Sequence, residues 1–262
     1  MSQDVIVSII VVSFQAGDKL RATVESVLAQ SEKRFEVIVK DGGSTDGSVE
    51  ALPIDERIHV FVEKDQGIYD AMNQAIGYAR GAYLLFLNCG DYLFDQNTLE
   101  KVGRQLKGSG IFYGHTFNRK LNAEVTMNGS MSGFSCYRHI PCHQACFYAR
   151  ELFEERGYDT KYRIRADYEH FLWCYFEKKV NVLFLDQVVS SYEGDGFSEQ
   201  KENIERDKEE HREITLRYMG WKRVLWYRFL LVISLVHVRR FFGNSPVFAK
   251  GYNLVKKIFY KV

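Results

Sequence analysis

Residues Val5-Ile-Val-Ser-Ile-Ile-Val-Val12 form an apolar run broken only by Ser8. The run is mostly β-branched and does not alternate, the pattern of a strand buried on both faces. Such strands belong to parallel sheets covered by helices, and the next eighty residues supply both. Leu20, Val24, Val27 and Leu28 recur at helical spacing. Residues 35–39 read as a second strand and 58–62 as a third. Ile68, Met72, Ala75, Ile76 and Ala79 mark a helix that stops at Gly81, and 82–87 is a fourth strand. This βαβ series predicts an α/β fold with a mostly parallel sheet and helices on both faces.

In sheets of this kind ligands bind beyond the carboxyl ends of the strands. Four segments fall there: Ser13-Phe-Gln-Ala-Gly17, Asp41-Gly-Gly-Ser-Thr-Asp-Gly-Ser48, Glu63-Lys-Asp-Gln-Gly67 and Phe86-Leu-Asn-Cys-Gly-Asp91. Their glycines and small hydroxyls let backbone approach a ligand closely. A lone acid at a strand end serves as readily as a helix cap or turn residue. Asp41, Asp65 and Asp91, however, end three strands on one edge. Gathered like charges repel unless a cation lies between them, and oxygen ligands suit Mg2+ or Mn2+ with a phosphate.

Beyond residue 107 the pattern changes. Short strands are expected around Ile111-Phe-Tyr-Gly114 and Cys146-Phe-Tyr148. Residues 167–178 read as a helix with Phe171, Cys174 and Tyr175 on one side, and 182–192 as strand. Residues 199–213 carry seven acids against four bases and read as a solvated helix. Cys136, Cys142 and Cys146 with His139 and His143 suggest zinc, but their spacing is not a paired Cys-x-x-Cys framework. The five cysteines are read as free thiols in a reducing compartment, because Met1-Ser-Gln-Asp4 offers no basic leader region.

The net charge of +1 conceals an asymmetry. Residues 217–262 hold ten Lys and Arg, no Asp or Glu, and eleven aromatics, which leaves −9 on the first 216. A basic, aromatic tail on an acidic body points to an anionic surface as partner. The apolar stretch 229–238 favours a membrane interface over nucleic acid, yet falls short of the ~20 residues that span a bilayer. The expected division is a body over 1–200, with halves meeting near 107/108, and a helical membrane-association segment over 201–262.

The run from "SIIVVSF" through "FEVIVKDGGSTDGS" and "EKDQGIYDAMNQAIGYARGAYLLFLNCGD" resembles the family 2 glycosyltransferases. "CHQACF", "RIRADYEHFLW" and "SSYEGDGFS" extend the resemblance over about residues 5–200. It is nearest to bacterial enzymes of capsule, colanic acid and O-antigen assembly. The resemblance implies a GT-A fold, a Rossmann-like mixed sheet with flanking helices. It also implies a nucleotide-diphosphate-sugar donor, Mn2+ or Mg2+, and transfer with inversion to a glycan or polyprenyl-diphosphate-linked acceptor. The implied setting is cytoplasmic, peripheral on the inner face of the cell membrane. By the same resemblance Asp91 holds the metal and Asp167 is the catalytic base. Ser13, Phe14, Asp41, Gly42, Asp65, Gly67, Tyr69, Asp70, Asn73, Asn88, Cys89 and Gly90 bind donor. His143, Gln144 and Asp195 belong to acceptor or mobile loops. The sequence departs from the family at Asp41-Gly42, where Asp-Asp-Gly-Ser is common and the second acid often reads the base. Two rivals are a nucleotidyltransferase, for which Gln15-Ala-Gly-Asp-Lys19 is a poor phosphate loop, and a non-catalytic sugar-nucleotide or membrane-binding protein.

Overall fold

The computed structural model describes residues 5–194 and 203–233. Asp195 and most of the basic tail lie outside the described residues. The chain divides into two compact units, 1–214 and 215–262.

In the first unit β1 (Val7–Ser13) leads into α1 (Asp18–Leu28), β2 (Phe35–Asp41), β3 (Ile58–Val62), α2 (Ile68–Ile76) and β4 (Tyr83–Phe86). These four strands run parallel in the order β3-β2-β1-β4. All of β2 and β4 is buried and β1 nearly so, in keeping with their mostly apolar centres. Edge strand β3 exposes Val60 and Val62.

The chain continues through β5 (Tyr92–Leu93), α3 (Thr98–Gly103), β6 (Ile111–Asn118), β7 (Ala123–Val125), α4 (Gly133–Arg138), β8 (Cys146–Ala149), α5 (Glu151–Glu155), α6 (Ala166–Leu172), β9 (Val182–Tyr192) and α7 (Ile204–Ile233). Here the sheet stops being parallel. Strand β8 joins β4 antiparallel, β6 joins β8 antiparallel, and β9 lies parallel to β6 with its register shifted by irregularities near His115. The sheet is therefore mixed, parallel on its N-terminal side and mostly antiparallel beyond β4. The expected helix over 167–178 is α6 followed by a wider π turn, Trp173–Lys178, which ends on Lys179 in the left-handed region.

A cluster of rings lies under α6. His170 stacks on Phe153 at 4.1 Å, with Tyr148 and Tyr158 edge-on around it. Burial pushes His170 down to about 3, so the ring is neutral, and its Nε2 lies 3.0 Å from the Arg156 carbonyl. Glu169 is fully buried against Arg156 at 2.6 Å. Glu169 and His170, close to Asp167 in sequence, are thus committed to the core.

The acid-rich stretch is not uniformly solvated. Glu210 is 8% exposed, and its carboxylate faces the backbone of residues 163–165. In the second unit α7 is broken at Gly220 (φ 72, ψ 158). Beyond it Trp221, Leu225, Trp226, Phe229 and Val232 are exposed. No helix among the described residues is long and apolar enough to cross a membrane.

Candidate active site

The carboxyl ends of β1, β2, β3 and β4 meet where the sequence places its acids, and each of the three acids has partners within the protein. Asp41 caps its own loop: Oδ1 accepts from the amides of Gly43 (2.9 Å) and Ser44 (2.6 Å), and Oδ2 from the Ser44 hydroxyl. Asp65 is met by Lys40, a fully buried lysine whose Nζ lies 3.3 Å from Oδ2. Asp41 and Asp65 thus have partners within the protein, and no group of three or more His, Cys, Asp or Glu side chains among the described residues could by itself hold a metal ion.

Asp91 differs. Gly90 (φ 93) turns the chain after β4, its amide donating to Thr23 Oγ1 at 2.8 Å and its carbonyl accepting from Arg119 at 2.6 Å. Asp91 is buried, and burial pushes its carboxyl up against the pull of Gln144, His143 and Arg119. Gln144 Nε2 donates to Oδ2 at 2.9 Å. The Asn88 amide oxygen, three residues back, is buried with no hydrogen-bond partner among the described residues. A buried carboxylate three residues from an orphaned amide oxygen supplies oxygens of the kind that a hard divalent cation takes. A single carboxylate holds such an ion only together with ligand oxygens.

Residues 142–144 join this acid to the second one. His143 Nδ1 lies 3.2 Å from Asp167 Oδ2, while its neighbour Gln144 binds Asp91. The Tyr69 hydroxyl and the Tyr168 amide both donate to Asp167 Oδ1 at 2.8 Å. Burial alone would raise the Asp167 carboxyl, but the His143 contact and the Tyr69 hydroxyl outweigh it and hold it below the ordinary aspartate range. His143 Nε2 is buried and has no hydrogen-bond partner among the described residues. A cavity of about 380 Å³ lies over these groups, lined by Asn88, His143, Gln144, Arg163, Asp167 and Tyr192 among others.

Several of the expected donor residues also carry contacts within the protein. Tyr69 serves Asp167. Asn73 clamps the Tyr158 backbone through both amide atoms, and Asp70 accepts from the Gln66 amide and Gln74. The Cys89 thiol, pushed up to about 12 by burial, donates to the Val12 carbonyl. Ser13 ends β1 and is buried, while Gly67 (φ 127) precedes α2 with its amide on Asp65. Phe14 remains 67% exposed at the edge. A Cβ on Gly42 would sit 3.0 Å from Asp65 Oδ2 and 3.1 Å from the Phe14 ring. Asp65 thus fills the space that a side chain at 42 would need. The cysteine-rich segment holds free thiols: Cys136 and Cys146 are buried and Cys142 donates to the Gln144 amide oxygen.

The model for glycosyl transferase family 2 matches residues 8–184. The chain belongs to this family. A PGL/p-HBAD biosynthesis glycosyltransferase of Mycobacterium bovis is 33% identical over 194 residues, covering 71% of this chain and 75% of that protein. The fold is shared with Staphylococcus aureus TarS (TM-score 0.62, 15% identity), over 92% of this chain and 44% of that one, so this chain spans less than half of TarS. It is shared equally with the mannosyltransferase PcManGT of Pyrobaculum calidifontis in complex with GDP-Man and Mn2+ (TM-score 0.62, 15% identity), over 100% of this chain and 89% of that one. This family 2 glycosyltransferase therefore has the GT-A fold.

Three contributors escaped the sequence reading. Lys40 left a trace, a basic residue near the end of a strand whose centre, Val37 to Val39, is apolar. Arg119, which stacks on Tyr92 at 4.4 Å and holds Gly90, left none, because β6 ends in an irregular stretch. Glu210 was hidden among neighbouring acids.

Proposed function

We propose that this glycosyltransferase moves a sugar, with inversion, from a nucleotide-diphosphate-sugar to a hydroxyl of a glycan or polyprenyl-diphosphate-linked acceptor in bacterial surface-glycan or glycolipid synthesis. The observation that carries this reading is the paired bridge of consecutive residues, Gln144 to Asp91 and His143 to Asp167. Under this reading one acid serves the leaving side and the other the attacking side. The mycobacterial relative's part in PGL/p-HBAD biosynthesis and the nucleotide-sugars bound by TarS and PcManGT support it.

The nucleotide would lie across the β1–β3 edge, with Phe14 against the base and Asp65 at the place the Gly42 departure leaves without an acid. Asp91, with the Asn88 oxygen, would hold Mn2+ or Mg2+ once the donor diphosphate supplies further ligands. The ion would neutralise charge on the departing diphosphate. Asp167 takes the acceptor hydroxyl proton as the new C1–O bond forms and the bond to the diphosphate breaks. Its carboxyl, held low by its neighbours, is ionised and ready for that role. The basic aromatic segment beyond residue 214 would keep the enzyme on the anionic inner face of the membrane.

The test is a donor panel assayed for nucleoside diphosphate release with Mn2+. Wild type should turn over one donor and fall silent in EDTA. Asp167→Asn should keep donor affinity and lose at least ~10²-fold in transfer, the usual scale for a general base. Full activity in EDTA, or collapse of donor affinity in Asp167→Asn, would contradict these roles. Release of pyrophosphate from a nucleoside triphosphate would instead favour a nucleotidyltransferase.

A further inference from the structure

Glu210 has an unusual environment for an acid in a charged helix. It is 8% exposed, and its hydrogen bonds run to three consecutive backbone amides. Arg163 N donates to Oε1 at 3.0 Å, while Ile164 N and Arg165 N donate to Oε2 at 3.0 and 2.9 Å. One turn earlier Asp207 pairs with the Arg165 guanidinium at 2.7 Å, and its carbonyl accepts from the same side chain. One turn later Glu213 binds Lys161 and accepts from the Tyr162 hydroxyl. Three acids spaced i, i+3, i+6 on one side of α7 thus hold every residue from 161 to 165.

Those residues run directly into α6, whose second residue is Asp167. Ile164 is the link. Its amide is fixed by Glu210, and its carbonyl oxygen and Asp167 Oδ1 each lie 2.8 Å from the Tyr69 hydroxyl oxygen, whose single proton the two acceptors share. Orienting peptide planes calls for directional bonds, and a buried carboxylate that accepts three amides supplies them where apolar contact would not. Burying the charge is unfavourable unless every lone pair is used. Glu210 does not line the cavity over Asp167, so any effect on chemistry must pass through the 163–165 backbone and Tyr69.

We propose that Glu210 is a positioning residue for the catalytic base, setting the direction of the Asp167 carboxylate through Ile164 and Tyr69. The proposal rests on the reading of Asp167 as base. A side chain misplaced by about 1 Å costs on the order of 10²-fold in rate, and loosening this backbone acts on that scale.

Glu210→Gln tests it, because the amide cannot accept from three donors without presenting its own NH2 to one of them. Transfer kcat should fall at least ~10-fold while donor KM stays within about twofold, since the donor edge ends at residue 91. Glu210→Asp, which keeps the charge, should recover part of the loss. Adding Glu210→Gln to Asp167→Asn should cost nothing further, because Glu210 acts only through the group already removed. Hydrogen exchange should quicken in amides 163–165 and stay unchanged in β1, β2 and β4. Wild-type kcat in Glu210→Gln, multiplying losses in the double variant, or equal loss of donor affinity and of melting temperature would each overturn the proposal. If wild type transfers no sugar, the glycosyltransferase reading fails. Hydrogen exchange then still decides the positioning claim: unaltered exchange in 163–165 overturns it.

Discussion

Asp167 and His170 sit one helical turn apart and answer burial in opposite ways. Asp167 stays ionised because His143, Tyr69 and the Tyr168 amide outweigh desolvation. His170, sealed among Phe153, Tyr148 and Tyr158, stays neutral. The second case sets a pH dependence. An unfolded chain takes up a proton at His170 near pH 6.5, whereas the folded ring refuses it until about 3. Protonation therefore favours unfolding. The stability His170 protects is full above about pH 6.5 and falls with acidification by up to about 1.4 kcal/mol per pH unit. Thermal melts between pH 7 and 4 should show this slope in wild type and a shallower one in His170→Gln. Equal slopes would mean the ring is hydrated in solution. At this scale the sequence disclosed acids better than their duties. Asp91 stood out at a strand end and Asp167 in a motif, and the structure brings them to the consecutive residues 144 and 143. The contacts that Tyr69 and Asn73 make within the protein were not legible, because direction across a helix depends on the partner packed against it. That partner, residues 158–167, is some ninety residues away in sequence.

Among the elements, the parallel half was open to reading because buried parallel strands spell unbroken apolar runs. In the other half the strands around 111–114, 146–148 and 182–192 were read, but their order and direction were not, since the antiparallel β4-β8 and β6-β8 pairings join segments far apart in the chain. Helix α7 carried two messages in one element. Its acidic first part read as solvated, yet one face is spent on residues 161–165. Its later part combines exposed Trp221, Leu225, Trp226 and Phe229 with Arg217, Lys222, Arg223 and Arg228. Such a face suits the interface of an anionic leaflet. Full-length protein should co-sediment with phosphatidylglycerol vesicles at low salt and be released only partly at high salt, since apolar insertion resists screening. Replacing Trp221, Leu225, Trp226 and Phe229 together with Ser should leave a salt-labile remnant. If wild type stays in the supernatant, the face has another purpose.

At the scale of the whole molecule, the edge built by four parallel strands is joined to Asp167 from the far half of the chain. The two are tied by Gln144 on Asp91 and His143 on Asp167. Under the proposed roles the acceptor attacks from the side opposite the leaving diphosphate, so a single displacement inverts the sugar. The direct test is the anomeric configuration of the first-formed product, read by proton NMR with the donor that the panel selects. Inversion is expected, a β-linked product from an α-linked donor or the reverse. Retention of the donor's configuration would contradict these roles, because a carboxylate that only deprotonates the acceptor cannot produce that outcome.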